Sequence, residues 1–271
     1  MIIGIKAISK IKGNIMKNSF KKQLTLATTL SLSFISAAYA DVKDTIEKSF
    51  DVSEEVVLRL ANINGAVDIK GWDKSEIKVT AIITADNQED RDRIKVAFDQ
   101  RSNGVSVETE YEKKSSWGRN NNSGKVDYTV MVPFGAFLAD IELVNGSLLI
   151  DKVQGEIKAN TVNGSINVQG LADDIELNSV NGSIKATYQQ IDNNINDIEL
   201  ATVNGSIKLY MPSELNATIN AETMHGSIKT AFGLSSNKKM FSGHSLSGHV
   251  GNGDIKINLE SVNGSIKVMK N

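Results

Sequence analysis

Three histidines, His225, His244 and His249, are the side chains best suited to moving a proton or holding a metal near neutral pH. His244 and His249 stand five apart in the Gly/Ser-rich stretch from Phe241 to His249, with no third ligand beside them. Two ligands do not make a zinc or transition-metal site, so the stretch reads as a solvated loop. Gly251-Asn252-Gly253-Asp254 has the composition of a calcium turn. Calcium-binding solenoids carry such a motif in every coil, and here it occurs once, so it reads as an ordinary turn. Glu142, Glu176 and Glu199 recur at one repeat position. Glycan cleavage needs two carboxylates in one singular arrangement, whereas recurrence suggests a solvated face. Trp117 lies in the polar stretch Lys113–Gly124 and is the candidate partner contact, while Trp72 is expected in the core. Aromatic residues are 6% of the chain and none recurs with the repeat, which argues against a sugar-stacking stripe. No catalytic, cofactor-binding or metal-ligating residue is assigned, and no cofactor is implied.

What must position these residues is a repeated phrase. Val144-Asn145-Gly146-Ser147-Leu148 returns as Val162–Ile166, Val180–Ile184, Val203–Ile207 and Val262–Ile266, with Met224-His225-Gly226-Ser227-Ile228 as a variant. The glycines Gly146, Gly164, Gly182, Gly205, Gly226 and Gly264 are spaced 18, 18, 23, 21 and 38 residues apart, the last gap being close to two periods. Between the phrases, Ile175-Glu176-Leu177 and Ile184-Lys185-Ala186 alternate apolar and polar, which is strand periodicity. Asn-Gly is a strong turn signal because both residues tolerate positive φ, so the six glycines are expected at left-handed corners. A unit of about nine residues holds one strand and one corner and cannot bury a core alone, so units must stack.

Two foldings satisfy this pattern. In a parallel β-solenoid with coils of about 18–20 residues, equivalent strands lie about 4.8 Å apart and like residues touch. In an antiparallel meander, neighbouring strands pair as hairpins. Stacking accounts for identical residues at each corner, which makes the solenoid the favoured reading. Asn145, Asn163, Asn181, Asn204 and Asn263 would then form a ladder, and His225 would occupy the same corner. Lys185, Lys208, Lys229 and Lys267 form another row, which the glutamates on adjacent rows would offset.

Residues 1–40 hold six lysines and no carboxylate. A basic segment at Met16–Lys22, an apolar run from Leu24 to Ala38 and a small-x-small site at Ala38-Tyr39-Ala40 read as a secretory signal peptide, with Met16 as the expected start. The remaining chain carries 24 basic against 32 acidic residues, net −8, which disfavours nucleic acid. It has no cysteine and no segment apolar enough to span a bilayer. From 41 to 133 the texture changes to a β-rich capping region with an early repeat copy at Asn62-Ile63-Asn64-Gly65, and 134–271 is the repeat solenoid. Unpaired solenoid ends need covering, so a hairpin in the first region is expected to cap the stack.

The order Asn62-Ile63-Asn64-Gly65, Gly71-Trp72-Asp73, Val126–Pro133 and then serial Val-Asn-Gly-Ser-Ile resembles the secreted putative-adhesin family. The resemblance covers nearly all of 41–271. It implies a β-solenoid and an exported location, periplasmic or extracellular, and carries over no catalytic residue. The expected function is an exported, non-enzymatic surface module presenting a regular face to a protein or glycan at the cell envelope. One alternative is a self-associating envelope scaffold, joined through the C-terminal coil because nothing follows the last copy to cap it. The other is a glycan-active β-helix enzyme.

Overall fold

The computed structural model describes residues 41–271 except 54, 102–103, 113–123, 192–194 and 240–241. The signal peptide expected over 1–40, the expected start at Met16, and Trp117 therefore lie outside the described residues.

Among the described residues the strands build one ten-stranded and one eleven-stranded sheet, packed face to face. Each coil gives one strand to each sheet. The strand that approaches an Asn-Gly-Ser corner lies in the eleven-stranded sheet, here called the approach sheet. The strand that leaves it lies in the ten-stranded exit sheet. Successive coils pair in parallel with like against like. Ile157, Ile175, Ile198, Ile257 and Ile219 align in the approach sheet. Ile166, Ile184, Ile207, Ile266 and Ile228 align in the exit sheet. The alternation then has one physical reading: Ile175, Leu177, Ile184 and Ala186 point between the sheets and are buried, while Glu176 and Lys185 point outward. The fold is an all-β parallel solenoid, and the antiparallel meander is excluded for the repeats.

The ends are closed by antiparallel strands. In the exit sheet, Val42–Asp51 and Glu76–Ala85 pair antiparallel, and the latter pairs antiparallel with Lys125–Pro133. In the approach sheet, the hairpin Ile94–Arg101 with Gly104–Tyr111 covers the same end. A five-residue helix at Gln88–Asp92, N-capped by Asn87, joins these parts.

Spatial order departs from chain order at both ends. The early copy, Val57–Asn64 with Val67–Trp72, sits inside the coil made by Gly104–Tyr111 and Lys125–Pro133. At the other end, Ile255–Asn263 pairs with Asp197–Asn204 on one side and Ala217–His225 on the other. Its partner Ile266–Lys270 is likewise held between Ile207–Met211 and Ile228–Thr230. The last repeat copy is thus an interior coil. The expectation that it offers an open surface for self-association is corrected: both of its edges are already hydrogen-bonded. The stack ends instead in the three-residue strand Ile228–Thr230 and in the antiparallel pair His244–Val250 and Asn237–Lys238. Such short edges limit pairing with other chains.

Candidate functional site

The corner is the most repetitive part of the molecule. Asn64, Asn145, Asn163, Asn181, Asn204 and Asn263 lie in one column, each Nδ2 donating to the Oδ1 of the asparagine before it at 2.8–2.9 Å. His225 aligns with Asn263 at the end of this column and is exposed. The backbone ladders as well: Gly164 N–H donates to Asn181 O at 3.0 Å and Gly205 N–H to Asn263 O at 3.2 Å.

None of the six corner glycines lies in the left-handed region, which corrects the turn-based expectation. Their reason is close approach. A Cβ at Gly146, Gly164, Gly182, Gly205, Gly226 or Gly264 would stand 1.8–2.0 Å from the carbonyl oxygen of the glycine in the adjacent coil. No side chain fits there, and the obstacle is backbone. Gly65 alone among the corner glycines combines this crowding with a φ of 120°.

A second column was missed in the sequence. Ser179, Thr202, Ser261 and Thr223, each two residues before the corner Asn or His, are buried, and each hydroxyl donates to a glycine carbonyl of the neighbouring coil at 2.8–3.1 Å. Thr161 takes the same position but donates to Gly164 in its own coil. The signal was available: a hydroxyl residue precedes the Val or Met of five of the six phrases. These columns hold neighbouring coils together: one N–H of each asparagine from Asn145 on, and each of the four hydroxyls, donates to the adjacent coil.

Side chains that could meet a partner lie on the outer faces. In the exit sheet, Lys185, Lys208, Lys267 and Lys229 align on consecutive coils and all are exposed. In the approach sheet, Glu176 aligns with Glu199 and Glu260 with Glu222. Glu142 does not share the Glu176 row. It stands three residues before its corner asparagine, whereas Glu176 and Glu199 stand five before theirs, so it pairs with Asn160 in the register of the corner, which corrects the single-row reading. The corner switches sheets, so lysines and glutamates face opposite sides of the solenoid. The expected offset of one row by the other does not occur. Partial burial raises the Glu199 carboxyl above its ordinary value, and the charges of Glu176, Asp197 and Glu260 add to the effect.

The histidines do not assemble. His244 and His249 are on one strand at odd separation, so they face opposite sides. His249 Nδ1 is 2.9 Å from Thr218 Oγ1. Among the described residues no cluster of three or more His, Asp or Glu could hold a metal. Gly251 and Gly253 both have positive φ, in keeping with a turn. Trp72 is half-buried at a strand end, not in the core; its Nε1–H donates to Glu76 O at 2.8 Å and Lys74 lies over its ring.

Residues 139–269 match the Toastrack DUF4097 family. This region belongs to that family. Comparison with curated proteins gives no match. Among solved structures, a putative cell adhesion protein from Clostridium sporogenes is similar at 13% identity and a TM-score of 0.47, over 86% of this chain and 100% of that one. A putative adhesin from Bacteroides fragilis is similar at 14% identity and a TM-score of 0.41, over 83% and 97%. A putative lipid binding protein from Parabacteroides distasonis is similar at 15% identity and a TM-score of 0.32, over 83% and 96%. The Toastrack region contains the lysine column and nearly all of the asparagine ladder. No helix among the described residues is long and apolar enough to cross a membrane.

Proposed function

We propose that this protein is an exported, non-enzymatic binding module, adhesin-like, whose rigid solenoid holds a regular face toward a protein or glycan at the cell envelope. One observation carries the reading: outward side chains repeat in strict register over consecutive coils, as the run from Lys185 through Lys208 and Lys267 to Lys229 does. A linear array suits a repeating partner. Catalysis needs a single constellation in which each group has its own role. The outward glutamates also repeat, with Glu176 beside Glu199.

The test pairs a panel of envelope glycans and proteins with a polysaccharide turnover assay. Saturable binding without product formation is expected, and Glu176→Gln and Glu199→Gln should leave both results unchanged. Turnover that a single carboxylate substitution abolishes would overturn the reading in favour of a glycan-active enzyme.

A further inference from the structure

In the five coils that follow the strand Leu148–Asp151, charge is divided unevenly between the two sheets. The exit strands Ile166–Leu171, Ile184–Tyr188, Ile207–Met211, Ile266–Lys270 and Ile228–Thr230 contain five lysines and no Asp or Glu. The approach strands of the same coils carry five carboxylates, Glu176, Asp197, Glu199, Glu260 and Glu222, against two lysines, Lys158 and Lys256. Residues 41–271, net −8, thus keep one face of five consecutive coils free of carboxylates in its strands.

Four of those lysines stand on consecutive coils, spaced by the strand separation of about 4.8 Å, so the column spans about 14 Å. Lys208, Lys267 and Lys229 have no ion-pair or hydrogen-bond partner among the described residues. Lys185 lies over the Tyr210 ring, 5.5 Å from its centre, and the fifth lysine, Lys270, lies 5.3 Å from that of Phe232. The rows on either side are uncharged: Ser183, Ser206, Ser265 and Ser227 on one, Thr187, Tyr210, Met269 and Thr230 on the other. Like charges stacked this closely repel one another, and these five exit strands supply no carboxylate to offset them.

We infer that this column is a binding site for a linear anionic polysaccharide, one bearing a carboxylate or sulfate on each successive residue. The inference rests on the binding-module reading and names the ligand class for one face. A single line of point charges on a flat sheet matches a thin, repeating polyanion. The hydroxyl rows and the Tyr210 ring supply hydrogen bonds and an apolar contact for sugar. A duplex nucleic acid or an anionic bilayer presents a broad negative field, which the net charge of the chain and its acidic approach face oppose. A second copy docking its approach face is the other source of complementary charge, and the test separates it.

The experiment measures binding of the protein, expressed from the full chain, to polygalacturonate, heparin and neutral dextran across a salt series. Binding to polygalacturonate or heparin, but not dextran, is expected to weaken as salt rises. Lys208→Gln with Lys267→Gln should weaken it at least tenfold and flatten the log–log salt slope by about one unit per lysine removed. The matched arginine pair should retain binding, and Lys238→Gln with Lys256→Gln, off this face, should leave it unchanged. An unchanged melting temperature shows that the variants fold. Equal losses in both glutamine pairs, tighter binding to duplex DNA or to anionic phosphatidylglycerol vesicles, or salt-sensitive self-association in place of glycan binding would each overturn the inference. A neutral ligand whose binding ignores the lysine variants would sink the inference while leaving the binding-module reading intact. Carboxylate-dependent turnover would sink that broader reading itself.

Discussion

The two outer faces of the Toastrack coils enclose the same core and carry net charge of opposite sign. The inward residues are interchangeable on the two sheets: Ile198 and Leu200 on one, Ile207 and Leu209 on the other, all fully buried. Outward, Glu199 and Lys208 stand at comparable places on either side of one corner and differ in sign. Burial dictates the inward positions, at about 25 cal/mol per Å2 of apolar area removed from water. Outward positions make few contacts and are free to be used for something else. The segregation of charge is therefore the part of the pattern that folding does not require.

That comparison can be broken hardest at the corner which both faces share. Gly205→Ala places a methyl 2.0 Å from Gly182 O, and a stability loss on the order of 3–5 kcal/mol is expected in urea unfolding. A loss under about 1 kcal/mol would mean the coils are not in direct register. Next comes Thr202→Val, which removes a buried donor to Gly182 O; a cost of about 1–2 kcal/mol is expected, with the binding faces untouched.

The faces themselves separate by pH. The Glu199 carboxyl is raised above its ordinary 4.5 in the folded chain, so the fold binds that proton more tightly than the unfolded chain does. Its stability contribution is present below 4.5 and is lost as pH rises through the folded value. Glu199→Gln should therefore raise the urea midpoint at pH 7 relative to the parent and reduce the fall in stability between pH 4.5 and 7. Lys208→Gln should leave that fall in place. The smallest effect belongs to Lys185→Ala on the exposed exit face, under about 0.5 kcal/mol in the same measurement. A larger cost would mean that the column is part of what holds the coils together.

Most of the stacking was readable from spacing, because a parallel sheet brings like positions together and Val-Asn-Gly-Ser-Ile marks them plainly. What the glycines are for was not readable. Asn-Gly signals a positive φ in isolated turns, whereas here the neighbouring coil's carbonyl decides the residue. The place of Val262–Ile266 was equally hidden. Identical phrases can pair with any neighbour, so sequence distance does not say which gap a copy fills. The mismatch of Glu142 was legible: it stands three residues before its corner asparagine, whereas Glu176 and Glu199 stand five before theirs. For the candidate site, the lysine and glutamate rows stood in the sequence, but their placement on opposite faces appeared only once the corner was seen to carry the chain from one sheet to the other.

The insertion of residues 255–270 between two coils made earlier constrains how the molecule can be assembled. Residues 217–230 must wait one place out, with a vacant berth on their inner side, until a segment some forty residues downstream arrives. Once residues 104–145 have closed around 57–72, a chain emerging N-terminus first could add the turns from 148 to 211 as they appear. It could not lock its far end until that wedge slid home, so closure is a late, single event coupling the last stretch of sequence to the integrity of the whole column.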